Sequence, residues 1–346
     1  MSVEASSAPA PIWLSICIPT YNFGEFIAET LESILPQVVE GVEVVILDGG
    51  STDDATAVVS EFQTRCSALR YHRRDERGGI DRDMARTVDL ARGRYCWLFS
   101  SDDLMKPDAV ARMLEQIQSG FDVYLCGLTI CTRTMHPVKD HRVLSLPAGS
   151  TFDLAVDGDR RVFFERAQTT TAFFSFLGSV IFKKERWDAI PLDEDFVGSC
   201  WAHVARIFRM IPDGLRVKYL ADSYLLKRSD NDSFMEVGLV RRYAISIDGY
   251  HRLAATFFGD DSDEARHIRR VVANEFHVRA MLWAKMMTVD APAEERRMLA
   301  RLESAVYRDP RPRNRLNRAL YRFVPVTLFK VLAIPYIALL KALKRR

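Results

Sequence analysis

Leu14-Ser-Ile-Cys-Ile-Pro-Thr-Tyr-Asn22 and Val42-Glu-Val-Val-Ile-Leu-Asp-Gly-Gly-Ser-Thr-Asp53 share one grammar. Each is a short apolar run, rich in β-branched residues, that breaks at its carboxyl end into polar and turn-forming residues. Between them Phe26, Ile27, Thr30, Leu31, Ile34 and Leu35 form one helical face, and Pro36 closes it. That reads as strand, helix, strand. The pattern then repeats. Ser51-Thr-Asp-Asp54 reads as a cap for a helix carrying Val58, Val59 and Phe62, and residues 69–72 are a third strand. Met84, Ala85, Val88 and Ala91 line a helix that stops before Gly93. Residues 95–99 (YCWLF) are a fourth strand, Pro107 opens a helix with Val110, Met113, Leu114 and Ile117 inward, and 123–128 is a fifth strand. This alternation predicts an α/β fold, a mostly parallel sheet flanked by helices. Ligands of such sheets bind beyond the carboxyl ends of the strands. The polar residues to weigh are therefore 20–22, 48–54 and 100–103.

Residues 130–235 mix short strands and loops, with apolar runs at 171–182 and 217–226, and from Leu239 the pattern is helical. The expected organisation is a disordered tail over 1–11, a ligand-binding half over 12–130 and a second half of the same domain over 131–238. A helical region over 239–310 and a basic amphipathic segment over 311–346 follow. The opening MSVEASSAPAP has neither the basic start nor the apolar stretch of a secretory signal. The six cysteines form no CxxC pair, which argues against a zinc site and for a reduced, cytoplasmic compartment. The net charge of +2 conceals an asymmetry: residues 308–346 hold eleven Lys or Arg and one acid, while the preceding 307 residues hold 37 basic and 45 acidic side chains. A basic end on an acidic body predicts an anionic partner for that end alone.

Three turns carry chemistry. In Pro19-Thr20-Tyr21-Asn22 an aromatic ring can stack on a base while polar groups reach phosphate or ribose; the plain alternative is a strand-ending turn. Asp48 ends an apolar strand, where its carboxylate can accept from a base or ribose, and Gly49 and Gly50 permit close backbone approach. The Ser-Thr-Asp run also serves as a cap. Ser100-Ser101-Asp102-Asp103 places two acids at a strand end, which is costly unless they are solvated or metal-bound. A hard cation, Mg2+ or Mn2+, bound by one or two carboxylates and by diphosphate oxygens would suit them. A solvated helix-capping pair is the alternative.

Taken together, SICIPTYN, EVVILDGGSTD and the acid-rich strand end resemble glycosyltransferase family 2, over residues 13–123. The resemblance implies a GT-A type fold and a nucleoside-diphosphate sugar donor. It implies base contacts from Tyr21 and Asp48, and a diphosphate-bound Mn2+ or Mg2+ at Asp102 with Asp103 beside it. Ser100 stands where the family often has an acid. Arg77-Gly-Gly-Ile-Asp-Arg-Asp83 followed by YCWLFSSDD is similar to the abequosyltransferase-like branch, which adds a deoxysugar to a lipid-linked oligosaccharide. That likeness implies donor-holding roles for Asp81 and Arg82; a loop with a helix cap is the alternative. Inverting members place an Asp beside the acceptor hydroxyl. Here Asp195, in Asp193-Glu-Asp195, and His203 are both chemically able to take its proton. His203 reads equally as a core histidine.

Residues 323–340 are apolar except for Thr327 and Lys330, and Pro325 and Pro335 interrupt them. Arginines precede the run and Lys341, Lys344, Arg345 and Arg346 follow it. The stretch is too short and broken for a clean span and reads as an interface-lying segment on an anionic membrane. A helix packed on the body or a dimer contact is the alternative. The expected location is peripheral, on the inner face of the cell membrane, near a glycan or polyprenyl-linked acceptor. No G-x-G-x-x-G follows the first strand, which argues against a dinucleotide enzyme. The basic charge lies beside an apolar run rather than aromatic-studded strands, which argues against nucleic acid. A catalytically weak or inactive membrane-associated scaffold that kept the fold, and another nucleotide-using α/β transferase, are the remaining alternatives.

Overall fold

The apolar runs become strands with the expected boundaries to within a residue or two at most ends. A computed structural model describes residues 11–232 and 237–331. All but the last residue of the expected tail, and the run from 332 onward, lie outside the described residues. Two compact units divide at Asn231/Asp232.

The first unit opens with β1 (Leu14–Thr20), α1 (Gly24–Ile34), β2 (Val42–Asp48), α2 (Ala55–Gln63) and β3 (Leu69–Arg73). Next come α3 (Ile80–Leu90), β4 (Tyr95–Leu98), β5 (Leu104–Met105), α4 (Ala109–Ile117) and β6 (Val123–Cys131). The rest is β7 (Pro137–His141), β8 (Thr151–Asp153), α5 (Asp157–Arg166), β9 (Val180–Lys183), α6 (Lys184–Asp188), α7 (Ala202–Arg209) and β10 (Arg216–Arg228). The strands form one sheet of order β3-β2-β1-β4-β9-β6-β10-β5. The run β3-β2-β1-β4 is parallel, with Thr20 beside Asp48 and Cys17 beside Leu98. This register brings the polar ends of the strands to one edge. The core beneath it is built from Ile16, Ile18, Ile27, Leu31, Val44, Ile46, Trp97 and Met113, all buried. Cys17, Cys96 and Cys126 are buried free thiols, as their apolar neighbours predict.

Two local features go beyond what the sequence pattern specifies. The fifth strand does not lie beside the fourth: β9 inserts antiparallel between β4 and β6, pairing Trp97 with Ile181 and Val123 with Phe182. β9 is only four residues long and sits at the end of the 171–182 run, so no periodicity marks its direction. The cap of α2 comes from Asp53 rather than from the N-cap residue Asp54. Asp53 accepts from Ala55 N–H at 3.1 Å and, through its other oxygen, from Gly24 N–H at 2.7 Å. One carboxylate thus serves the first turns of α1 and α2, where backbone donors have no helical partner.

The second unit is helical from Leu239, where the sequence pattern changes. It comprises α8 (Leu239–Phe258), α9 (Asp263–Glu275), α10 (Val278–Met287), α11 (Ala293–Val306) and α12 (Pro312–Phe323). Ile247, Leu253, Ile268, Val272, Met281 and Leu302 form its core. Arg301 grips Asp248 through two 2.7 Å bonds, and the buried Arg269 pairs with Asp309 at 3.0 Å.

Glu43 is a buried acid in the middle of this framework. It accepts from Ser15 Oγ (2.7 Å), Arg92 N–H (2.7 Å) and Arg70 (3.0 Å), joining β1, β2, β3 and the turn before β4. Glu43→Ala leaves those donors without their acceptor and is expected to cost about 3 kcal/mol of stability, the range for breaking a buried pair. Urea unfolding measures it; a loss within about 0.5 kcal/mol, the scale of an ordinary surface change, would contradict the assignment.

Candidate active site

The turns after β1, β2 and β3 are laced together by hydrogen bonds. Thr20 C=O accepts from Gly49 N–H at 2.8 Å, and Asp48 C=O accepts from Arg74 N–H at 2.8 Å. Asn22, in the left-handed region at φ 56° that asparagine tolerates, donates its N–H to Ser51 Oγ at 2.9 Å. Its Oδ1 accepts from Thr52 N–H at 2.8 Å. The half-buried Tyr21 ring carries the Arg77 guanidinium on one face, 4.1 Å from its centroid. Thr20 Oγ1 is buried with no hydrogen-bond partner, and Pro19, beside Leu47, completes the strand beneath it.

Asp48 is fully buried and fully used. Oδ1 accepts from Gly50 N–H (3.0 Å) and Ser51 N–H (2.7 Å), and Oδ2 accepts from the Tyr71 hydroxyl at 2.6 Å. Burial and this carboxylate push the Tyr71 phenol up to about 12. Asp48 therefore shapes the Gly49-Gly50-Ser51 turn and fixes Tyr71.

Asp83 is different. It is buried at the start of α3, its Oδ1 has no hydrogen bond, and Arg74 lies 3.6 Å away. A Cβ on Gly49 would stand 2.6 Å from Oδ2, and one on Gly78 would collide with Oδ1. Both glycines are thus needed for this carboxyl to sit against the turns. Burial raises its pKa above the usual carboxylate value, and Arg74 and Arg77 oppose that.

After β4 the two adjacent acids part. Asp102 accepts from Ser100 Oγ and, at 2.9 Å, from Asn231 Nδ2. Asp103 turns inward, where Oδ1 accepts from Arg228 N–H at 2.8 Å. Burial, then Asp102, pushes its carboxyl up to about 8. Asp103, expected beside Asp102 at a metal, here anchors β10 through Arg228. Ser101 is buried in the same turn. Among the described residues no group of three or more His, Cys, Asp or Glu forms a ready-made metal cluster.

Arg228 closes this region. It donates to Asp102 C=O (2.8 Å), Arg133 C=O and Glu29 (2.7 Å), and its guanidinium lies 4.9 Å from the Phe26 ring centroid.

The segment 193–203 docks on the start of α3. Asp81, expected to hold a donor, has its oxygens taken by Gly198 N–H (2.8 Å), Cys200 N–H (3.0 Å) and Ala202 N–H (3.1 Å). Arg82 makes a two-pronged pair with Glu194 at 3.1 and 2.6 Å. Asp193 accepts from Arg209 Nε at 2.9 Å and from Asp195 N–H at 3.2 Å, which leaves Asp195 in an exposed turn. His203 is buried beside Asp81, and neither ring nitrogen has a hydrogen-bond partner. Burial lowers its pKa to about 4, against the opposing Asp81 charge. The expected residues from 81–82 and 195–203 thus meet although more than a hundred positions separate them.

The profile described as Glycosyl transferase family 2 matches residues 15–174. The abequosyltransferase of Salmonella typhimurium is 31% identical over 267 residues, 76% of this chain and 80% of that protein. The chain belongs to glycosyltransferase family 2. Residues 1–349 of Staphylococcus aureus TarS, solved with UDP-GlcNAc, superpose with a TM-score of 0.59 at 16% identity, covering 92% of this chain and 88% of that one. A mannosyltransferase of Pyrobaculum calidifontis, solved with GDP-Man and Mn2+, gives a TM-score of 0.50 at 18% identity over 87% of this chain and 88% of that one. The GT-A type fold and the transferase class expected from the strand-end turns are thereby established.

In this glycosyltransferase the sequence reading missed Asp83, Arg77, Tyr71 and Arg228 as parts of the site. Asp83 and Arg77 were in view, inside RGGIDRD, without a role. Tyr71 and Arg228 carry no local signal, because only the sheet brings them to Asp48 and Asp103.

His203 generates a pH prediction. It stays neutral in the fold down to about pH 4 while the unfolded chain takes up a proton near 6.5, so stability falls as pH drops between those values. The stability gap between wild type and His203→Gln should narrow by about 1 kcal/mol per pH unit in that window. Urea titrations at several pH values measure it; parallel curves would mean that His203 is not held neutral by burial.

Proposed function

We propose that this glycosyltransferase moves a sugar from a nucleoside diphosphate to a hydroxyl of a glycan acceptor, by single displacement with inversion. The acceptor is a polyprenyl-linked oligosaccharide of surface polysaccharide synthesis, in keeping with the abequosyltransferase relative. One observation carries the reading: the start of α3 bears an unsatisfied buried carboxyl, Asp83, toward the strand-end turns, and bears Asp81 and Arg82 toward the segment holding Asp195. A donor side and an acceptor side share one rigid helix end.

On the donor side Tyr21 and Arg77 form the wall for the base. Asp83, with Thr20 Oγ1, receives N–H or hydroxyl groups of the nucleoside. Asp48 holds the turn that lets the nucleotide approach the backbone, and Asn22 locks it. Asp102 would hold a Mn2+ or Mg2+ ion. One carboxylate flanked by the oxygen-bearing side chains of Ser100 and Asn231 suits a hard cation that completes its shell with diphosphate oxygens. Such an ion, when bound, stabilises the charge of the leaving diphosphate. The Mn2+ in the mannosyltransferase complex supports this choice.

On the acceptor side Asp195 takes the hydroxyl proton as oxygen attacks the anomeric carbon from the face opposite the diphosphate. His203, buried and weakly basic, holds the segment from beneath. Asp81 and Arg82 set the segment's position rather than touch the donor.

The enzyme works as a peripheral protein on the inner face of the cell membrane, with an anionic lipid surface as partner. No helix among the described residues is long and apolar enough to cross a membrane.

Asp195→Asn is expected to lower kcat by about 100-fold or more, the usual share of a general base, while donor KM changes little. NMR of the product should show the anomeric configuration opposite to the donor's. A retained anomer would overturn single displacement, and full activity in the variant would remove Asp195 from the role.

Asp83→Asn is expected to weaken nucleotide binding about tenfold, as loss of a charged hydrogen-bond acceptor does, with kcat nearly kept. Calorimetry with nucleoside diphosphates and Mn2+ tests this. Unchanged affinity in a folded variant would place Asp83 outside the nucleotide pocket.

A further inference from the structure

α12 is packed inside out. Its buried residues are Asn314, Asn317 and Tyr321, while Leu316, Leu320 and Phe323 are 59%, 38% and 82% exposed. Both sets recur at helical spacing, and the offset of two residues between Asn314 and Leu316 turns the stripes about 200° apart. The polar face has partners in its own unit. Asn314 Nδ2 donates to Asp309 C=O (3.1 Å), Lys285 Nζ donates to Tyr321 C=O (2.7 Å), and Arg318 pairs with the buried Glu303 at 3.3 Å. The helix is therefore seated by hydrogen bonds and ion pairs, and its apolar stripe is turned to solvent.

The stripe continues. After Val324 the chain turns helical again, with Phe329 N–H donating to Pro325 C=O at 3.1 Å, and Leu328 and Val331 are 51% and 67% exposed. Arg313, Arg315, Arg322 and Lys330 are exposed along it. On a helical wheel Arg313 falls on one margin of the Leu316–Leu320–Phe323 stripe and Arg315 and Arg322 on the other. Soluble surfaces rarely carry an apolar row of this kind without an occupant. An apolar stripe edged by arginine is how an interface-lying helix meets a lipid surface.

We propose that the outward face of α12, with Leu328 and Val331, is the surface that docks on an anionic bilayer, Leu316, Leu320 and Phe323 entering the acyl boundary and the arginines meeting lipid phosphates. This rests on the membrane part of the proposed function and names the residues that carry it. It also extends the contact upstream of the apolar run that the sequence singles out, to Leu316 and Leu320. Charge decides the occupant. A second copy of this chain would bring the same basic margin against itself, whereas an anionic headgroup layer neutralises it. The polar docking of α12 on α10 and α11 makes the face a rigid plate already formed before it meets lipid.

The full chain is sedimented with vesicles of neutral phosphatidylcholine and of phosphatidylcholine with anionic phosphatidylglycerol, at low and high salt. Binding is expected to the anionic vesicles, weaker at high salt. The variant Leu316→Ser/Leu320→Ser/Phe323→Ser should bind at least tenfold more weakly. It should stay folded, with a melting temperature close to that of wild type because those side chains lie on the outward face of α12, and keep the thermal shift given by nucleoside diphosphates with Mn2+. Phe323→Trp should be quenched by brominated lipid beyond the parent protein. Equal binding by the triple variant, or no added quenching, would overturn the docking face while leaving the membrane location intact. No vesicle binding by the wild type would overturn both. A dimer in sedimentation equilibrium that the triple variant abolishes, without vesicle binding, would make a second copy the occupant and overturn the proposal. Loss of the nucleotide shift alone would count against the transfer reading and not against this one.

Discussion

Arg228 N–H reaches Asp103 Oδ1 at 2.8 Å while the same residue's guanidinium holds Asp102 C=O and Glu29. On these bonds hangs the geometry of the sheet's functional edge. Two neighbouring carboxylates cannot both be buried without partners, since desolvation outweighs any packing gain. The strand β10 resolves this by supplying Asp103 with a backbone donor, while Asp102, also buried, is held by Ser100 and by Asn231 just past the end of β10. The direction of Asp102 is a consequence of where β10 ends. Because β10 lies three places from β4 in the sheet, with β9 and β6 between, the acid-rich turn is shaped by the far half of the domain.

The same demand sorts the acids at the start of α3. Asp81 and Asp83 are two residues apart, so a helix points them to nearly opposite sides. Asp81 meets three backbone N–H groups of 198–202 and is satisfied. Asp83 meets two glycines and retains an unbonded oxygen. Both acids gain from the helix N-terminus, yet one organises a loop and the other, with Arg74 3.6 Å away, keeps an oxygen without a hydrogen bond. Arg82, between them, adds its pair with Glu194. A small rotation of this helix end would move the Asp195 turn and the contacts of Asp83 with Gly49 and Gly78 together.

The second unit follows a different rule. Its ion pairs are placed to hold helices rather than to do chemistry, and in α12 polar contacts take over the role usually given to apolar burial. Net charge tells the same story: the eleven basic residues from 308 onward sit on a chain whose preceding part is net acidic. An apolar face is left outward because the hydrogen-bonding face already seats the helix.

Strand and helix positions were legible because buried parallel strands must be short apolar runs, and amphipathic helices must repeat every three to four residues. Both rules are local, and LSICIPTYN, VEVVILDGG and YCWLFSSDD obey them. That the polar strand ends share one edge was legible for the same reason, since a parallel sheet gathers them there. What those residues touch was not. Asp48 meets Tyr71, Asp103 meets Arg228, Asp81 meets the 198–202 backbone, and α12 faces outward on its apolar side, all through contacts between segments distant in the chain. A hydrogen bond depends on distances of a few tenths of an ångström between such segments. Only the packed sheet and helices set those distances, so the tertiary structure alone decided which acids are bonded into the fold and which keep an oxygen without a hydrogen bond.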